Sequence, residues 1–121
     1  MTSDRPLMIL VAGPYRSGTD GDPARIQANV DAMTATSLDL WRRGHLPVMG
    51  EWFALPLIEA ATVAGEPDAD AAIFHPIAER LLERCDGCLR IGGASAGADR
   101  MVETARRLGK AVWLGIDEVP A

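Results

Sequence analysis

The segment LMILVAGPYRSG at residues 7–18 sets the architecture of the chain. Its apolar run, Leu7 to Val11, is typical of a strand buried on both faces, as strands of parallel sheets are. Gly13-Pro14 ends this strand, and a polar, glycine-rich loop follows from Tyr15 to Gly21. The segment therefore predicts a central strand of a parallel sheet, with a loop of unusual composition at its carboxyl end.

Strands and helices alternate through the rest of the chain. Asp22-Pro23 predicts a helix start, because Asp caps the free amides and Pro suits the first helical position, and Gly44 predicts its end. Further apolar runs and helical periodicities predict strands at 46–49, 88–91 and 110–115, and helices at 51–63, 74–85 and about 101–108. The order β-α-β-α-α-β-α-β implies one α/β domain over residues 1–121, with a mostly parallel sheet of four to five strands.

Other segments are less regular. Pro56 is expected to break or restart the second helix, and residues 64–72 read as a mobile acidic loop. We expect Trp41 and Trp113 in the core, and Trp52 against a ligand or a subunit partner.

The balance of charge excludes several classes of partner. The chain has 12 Lys and Arg against 17 Asp and Glu, a net charge of -5, whereas a nucleic-acid polymer needs a basic face.

No apolar run reaches the roughly 18 residues that span a bilayer, and residues 1–6 show no signal-peptide pattern, so we expect a cytoplasmic protein without membrane contact. Because a domain of 121 residues buries a limited share of its surface, we expect a homodimer or higher homo-oligomer.

Two glycine-rich loops, residues 13–18 and 92–97, follow predicted strands. Each carries a serine and leads to a helix N-terminus, where free amides and the helix dipole favour an anion such as phosphate. In a 2-1-3-4 strand order the loops flank the switch point where ligands of parallel sheets bind, and Arg16 adds a charge-assisted donor. The alternative is that both are tight turns that need positive φ. Neither loop fits a P-loop or a dinucleotide fingerprint, so we expect no cofactor.

A few titratable residues are candidates for chemistry. Glu51 follows the second strand, at the edge of the sheet where chemistry is expected. The alternative interpretation is that Glu51 is a solvated carboxylate that the dipole favours at a helix start. His75 stands at a predicted helix start and is placed to face the same crevice. Cys85 and Cys88 have CxxC spacing, but here the motif ends a helix and begins a strand, whereas a redox CxxC follows a strand and begins a helix. A zinc site would need a second pair of ligands, which is absent. We therefore expect structural cysteines and no metal.

Four segments in order carry a family resemblance: ILVAGPY (9–15), GHLPV (44–48), CDGCLRI (85–91) and GASAGAD (93–99). They resemble the nucleoside 2-deoxyribosyltransferase superfamily, including its nucleotide N-glycosidase branch and small uncharacterised relatives. The resemblance covers nearly the whole chain. It implies a flavodoxin-like three-layer sandwich that cleaves or exchanges the N-glycosidic bond of a nucleoside or nucleoside monophosphate. It assigns 5′-phosphate binding to Gly13, Tyr15, Arg16, Ser17, Gly18, Ser95 and Gly97.

The catalytic carboxylates that the resemblance implies are absent, since their positions are Ala78 and Met101. Glu103 does not replace Met101, because two residues turn a helix by about 200°. Cleavage through a glycosyl intermediate needs a carboxylate, so a glycosidase would use relocated acids, for which Glu51 and Asp99 are the candidates, with His75 as proton carrier. The alternative is a non-catalytic nucleotide-binding or sensing domain.

Overall fold

Residues 5–121 are described by a computed structural model, in which strands and helices alternate as expected. Residues 1–4, part of the segment predicted to lack a signal peptide, lie outside the described residues. The elements are β1 (Met8–Ala12), α1 (Pro23–Arg42), β2 (Leu46–Val48), α2 (Gly50–Val63), α3 (Ala69–Arg84), β3 (Gly87–Arg90), α4 (Ala96–Arg107) and β4 (Ala111–Trp113), followed by a short 3-10 turn (Ile116–Glu118). None of the helices in residues 5–121 is both long and apolar enough to cross a bilayer.

The four described strands form one parallel sheet in the order β2-β1-β3-β4. Leu10 at the centre of β1 pairs with Val48 of β2 on one side and with Cys88 of β3 on the other. The chain therefore moves outward from β1 to β2 and then returns to β3, which places the switch in strand order between β1 and β3. The predicted α/β class with a four-stranded parallel sheet is confirmed, and the observed order is the 2-1-3-4 order in which the two glycine-rich loops flank the switch point.

Alternating side chains of β1 divide the core between the two faces of the sheet. Ile9 and Val11 pack in one cluster with Met33 and Leu40 of α1. Leu10, on the opposite face, packs in a cluster that includes residues of α3 and α4. The result is a three-layer arrangement consistent with a flavodoxin-like fold.

Local signals at α1 act as the sequence predicts. The Asp22 side chain accepts a hydrogen bond from the Ala24 N–H, and Pro23 occupies the first helical position. Gly44 follows the helix with φ +92°, a conformation that side-chain-bearing residues rarely adopt.

The helix boundaries in the middle of the chain differ from the predictions. The helix α2 continues through Pro56, and packing of Ala54, Ile58 and Ala61 against α3 offsets the hydrogen bond that proline removes. The helix α3 starts at Ala69, which is itself buried in that cluster, so residues 69–72 are helical and not part of a loop. His75 consequently lies in the second turn of α3, not at its start.

The tryptophans fall into two groups. Trp113 is buried as predicted, and its ring covers Gly87, where an added Cβ would come within 2.6 Å of the ring atom Cη2. The expectation that Trp41 lies in the core is wrong, because Trp41 is 64% exposed to solvent. Trp41 directly follows the buried Leu40, and one residue turns a helix by about 100°, so its side chain leaves the face of α1 that packs on the sheet.

Candidate functional site

A cavity of about 440 Å³ opens at the carboxyl ends of β1 and β2 and reaches the start of α4. Most residues predicted to form the site line it: Gly13, Tyr15, Arg16, Ser17, Glu51, His75, Ser95 and Gly97. Two predicted residues, Gly18 and Asp99, do not line it. The structure therefore brings the two glycine-rich loops, Glu51 and His75 together in one cavity.

The two loops are in direct contact beside the switch point. Gly92 has φ +78°, and an added Cβ there would come within 2.6 Å of Pro14 Cδ. An added Cβ at Gly13 would lie 3.1 Å from the carbonyl oxygen of Ile91. Glycine at these positions is what lets the backbones approach, so part of the glycine content is structural, as the alternative interpretation held.

Backbone amides of both loops remain available to a ligand. Within residues 5–121, the N–H groups of Tyr15, Arg16, Ser17, Ala96 and Gly97 donate to no protein acceptor. At the start of α4, Ser95 caps the helix by accepting a hydrogen bond from the Ala98 N–H at 3.1 Å, which leaves its hydroxyl hydrogen free to donate. Free amides at a helix N-terminus form an anion site.

Arg90 fixes the loop between β3 and α4. Its side chain is 12% exposed and donates to the carbonyl oxygens of Ile91 and Gly93, the latter at 2.8 Å. It also donates to the Asp99 carboxylate in the first part of α4, at 3.2 Å. Asp99, predicted as a relocated acid, is thus engaged with Arg90 outside the cavity. Sequence reasoning missed Arg90, since its partners are carbonyl groups that no side-chain motif reveals.

Arg16 and Asp70 face each other at the rim of the cavity. Their side chains form an ion pair with an N···O distance of 3.9 Å, and both are largely exposed. Next to them the rings of Tyr15 and Phe74 stack with centroids 6.0 Å apart. Asp70 was missed as a site residue because it was assigned to a loop, and Phe74 because it was assigned to a helix start without a role in the cavity. The spacing of four from Ala69 to Ile73 continues the helical periodicity upstream and is the signal that was available.

Glu51 is the buried carboxylate of the cavity. It lies in the first turn of α2 and is 6% exposed, so the alternative of a solvated helix-start carboxylate is wrong. Burial raises the pKa of its carboxyl group, opposed by a hydrogen bond from its own backbone amide. Desolvation therefore outweighs the favourable helix terminus, and Glu51 holds a proton more readily than an exposed glutamate.

His75 faces the start of α4. An added Cβ at Gly97 would lie 3.4 Å from the imidazole Cε1, and the ring meets Phe74 edge-on at 5.6 Å. Its Nδ1 is buried and has no hydrogen-bond partner among the described residues. Burial lowers the pKa of His75, and the charge of Arg100 lowers it further, against an opposite effect of Glu79. The imidazole is therefore mainly neutral at neutral pH and presents one donor and one acceptor.

The two positions at which the resemblance implies carboxylates both line the cavity, but as apolar groups. Ala78 and Met101 are buried in the same cluster as Leu10 and Ala98. Ala78 also contacts the start of α2, since an added Cβ at Gly50 would lie 3.3 Å from the Ala78 methyl group. Glu103 is exposed, as its helical position predicts. Among the residues that the structure describes, the carboxylates that line the cavity are Glu51 and Asp70.

The cysteines lie apart from the cavity wall. Burial raises the pKa of Cys85 to about 11 and that of Cys88 to about 12, so both thiols are protonated and poorly nucleophilic at neutral pH. Among residues 5–121, no group of three or more His, Cys, Asp or Glu residues is placed to hold a metal ion.

No protein-family model matches this chain, and no curated protein is detectably similar to it. The family resemblance therefore enters the functional argument only as a hypothesis, beside the geometry of the cavity.

Proposed function

We propose that this protein binds a nucleoside 5′-monophosphate in the cavity, with the phosphate on the amides of residues 15–17 and 96–97. The observation that carries the proposal is the contact between the two loops, each of which has backbone amides that donate to no acceptor among the described residues. The volume of about 440 Å³ falls in the range of small-molecule pockets, and a wall of apolar and aromatic side chains suits a base and sugar. The resemblance to nucleotide N-glycosidases supports the same ligand class.

Phosphate dependence tests this proposal. Isothermal titration calorimetry compares each of the common ribo- and deoxyribonucleoside monophosphates with its nucleoside. At least one monophosphate should bind about tenfold or more tightly than its nucleoside, which is the equivalent of one charge-assisted hydrogen bond. Gly97→Val should weaken that binding, because the valine side chain would lie against His75, beside the amides that are proposed to hold the phosphate. Equal affinity for monophosphate and nucleoside, or no binding by any compound, would contradict the proposal.

A second candidate function is hydrolysis of the N-glycosidic bond of that ligand. It is favoured by one observation, a buried carboxyl group of raised pKa in the same cavity. Protonated Glu51 would donate its proton to the departing base as the bond from the anomeric carbon to nitrogen breaks. A water molecule would form the new carbon–oxygen bond, and neutral His75 would accept its proton. The products are free base and sugar phosphate.

Release of free base distinguishes the enzyme from a sensing domain. Chromatography after prolonged incubation should detect base with the wild-type protein, and Glu51→Gln should reduce the rate at least about 100-fold, the low end of general acid catalysis, while the ligand still binds. Glu59→Gln, an exposed carboxylate on the same helix, is the matched control and should keep full activity. If bound ligand stays intact with the wild-type protein, the non-catalytic alternative holds.

A further inference from the structure

A second groove, of about 300 Å³, lies at the edge of the sheet. We call it the tryptophan groove and define it by Leu38 and Trp41 of α1, Leu46 and Pro47 of β2, and Trp52 of α2. Thr34 and Ser37 complete its wall, and none of the described residues that line it is charged. The four large apolar side chains are between 43% and 64% exposed.

We infer that the tryptophan groove is the contact surface for a second copy of this chain. At roughly 200 Å² for a tryptophan side chain, Trp41 and Trp52 together expose about the area of one whole tryptophan, and the half-exposed Leu38 and Leu46 extend this apolar surface. A standard interface covers about 800 Å² per partner, with an apolar centre and a polar rim. The groove alone therefore supplies the apolar centre of a dimer interface. Exposed tryptophans are also the residues that most often dominate binding energy.

The shape and charge of the groove favour a copy of the same chain over a different partner. A two-fold dimer needs a surface that is complementary to itself. Here Trp41 is 64% exposed and is itself one of the residues that line the groove, so a two-fold contact in which the Trp41 of each copy packs against the groove of the other uses the same residues on both sides. A chain of net charge -5 repels its own kind, and a patch without charge is where two copies meet at the least electrostatic cost.

The contact would form through side chains and not by extension of the sheet. β2 is an edge strand of three residues, and Pro47 at its centre lacks an N–H. A short edge strand that contains proline is poorly suited to pair with another strand. This inference does not depend on the proposed function, because none of the groove residues lines the cavity.

Sedimentation equilibrium of the full chain tests the inference directly. From about 1 μM to about 500 μM, the wild-type protein should show a monomer–dimer equilibrium, and Trp41→Glu should weaken dimerisation roughly 30-fold or more. Because Trp41 is largely exposed, the variant should keep its circular-dichroism spectrum and, at a concentration where both proteins are monomeric, the wild-type melting temperature. Val63→Glu is the matched control: residue 63 is 84% exposed, lies outside the groove and takes the same change of charge, and this variant should dimerise like the wild type.

Two results would overturn the inference. One is a wild-type chain that stays monomeric over the whole range, which would assign the groove to a different occupant. The other is a Trp41→Glu dimer as tight as the Val63→Glu dimer, which would place the contact between copies elsewhere on the surface.

Discussion

Glu51 shows that a residue suited to chemistry can cost stability. Burial raises the pKa of its carboxyl group above the ordinary value of 4.5, so the folded state binds its proton more tightly than the unfolded chain does. The Glu51 carboxyl group therefore adds to the free energy of unfolding below pH 4.5, and this stabilisation is lost as the pH rises through the pKa that the group has in the folded state. Ionised Glu51 therefore destabilises the fold at neutral pH.

The direction of the pKa shift of Glu51 gives a prediction for stability. Glu51→Gln should raise the free energy of unfolding at pH 7 by about 0.5–2 kcal/mol, the usual size of a stabilising substitution. The gain should shrink below pH 4.5, where the wild-type carboxyl is protonated in both states. Urea unfolding at several pH values measures it, with exposed Glu59→Gln as the control. A destabilised Glu51→Gln variant at pH 7 would show that the carboxylate is paired and not merely desolvated.

Arg90 supports the second prediction at the residue scale. Arg90→Met keeps much of the side-chain volume but removes the donors to two loop carbonyl groups and to Asp99. It should cost about 0.5–1.5 kcal/mol of stability, the usual net contribution of a hydrogen bond, because the acceptors are partly or fully exposed and can bond to water instead. Asp99→Asn keeps an acceptor for Arg90 and should cost less than about 1 kcal/mol.

The same pair of variants separates loop positioning from catalysis. Arg90→Met should weaken nucleoside monophosphate binding, measured by calorimetry below the melting temperature, whereas Asp99→Asn should leave binding and any base release close to wild type. Loss of base release in a well-folded Asp99→Asn protein would instead restore Asp99 as a catalytic acid.

At the scale of elements, the packing of β4 on β3 depends on one glycine. The Trp113 ring occupies the space that a side chain at residue 87 would need. Gly87→Ala should therefore destabilise the protein by about 1–3 kcal/mol, as overpacking of a core does. Gly93→Ala is the control, since no atom lies within 4 Å of the added methyl group. Thermal unfolding followed by circular dichroism compares them, and equal melting temperatures would mean that Trp113 moves aside at little cost.

The elements also show where sequence patterns succeed. The start and end of α1 were predictable, because Asp22, Pro23 and Gly44 act through local backbone chemistry. The course of α2 through Pro56 was not predictable, because the compensation comes from contacts with α3 that no local pattern contains. The early start of α3 was partly predictable: the spacing of four from Ala69 to Ile73 is a local signal, whereas the burial of Ala69 depends on contacts with α2.

At the scale of the whole molecule, the place of the site was predictable and its internal chemistry was only partly so. The alternation of elements predicts a parallel sheet, and the observed order β2-β1-β3-β4 brings the loops after β1 and β3 together. The burial of Glu51 and the engagement of Asp99 by Arg90 depend on how helices pack over the sheet edge. Asp70 entered the site only because α3 is longer than its pattern suggested.

Ligand binding should be visible in the stability of the whole domain. A nucleoside monophosphate at about 100 times its dissociation constant should raise the free energy of unfolding by about 2.7 kcal/mol. Differential scanning fluorimetry should show the rise in melting temperature for the monophosphate at a concentration where its nucleoside has little effect. An identical shift with the nucleoside would mean that the free amides do not hold the phosphate.

The close approach of Gly50 to Ala78 couples position 78 to the start of α2, where Glu51 follows Gly50. Ala78 also lines the cavity, so a larger side chain there either turns into the cavity or presses on the backbone from which α2 starts. A residue larger than alanine at position 78 should accordingly reduce the volume of the cavity or displace Glu51.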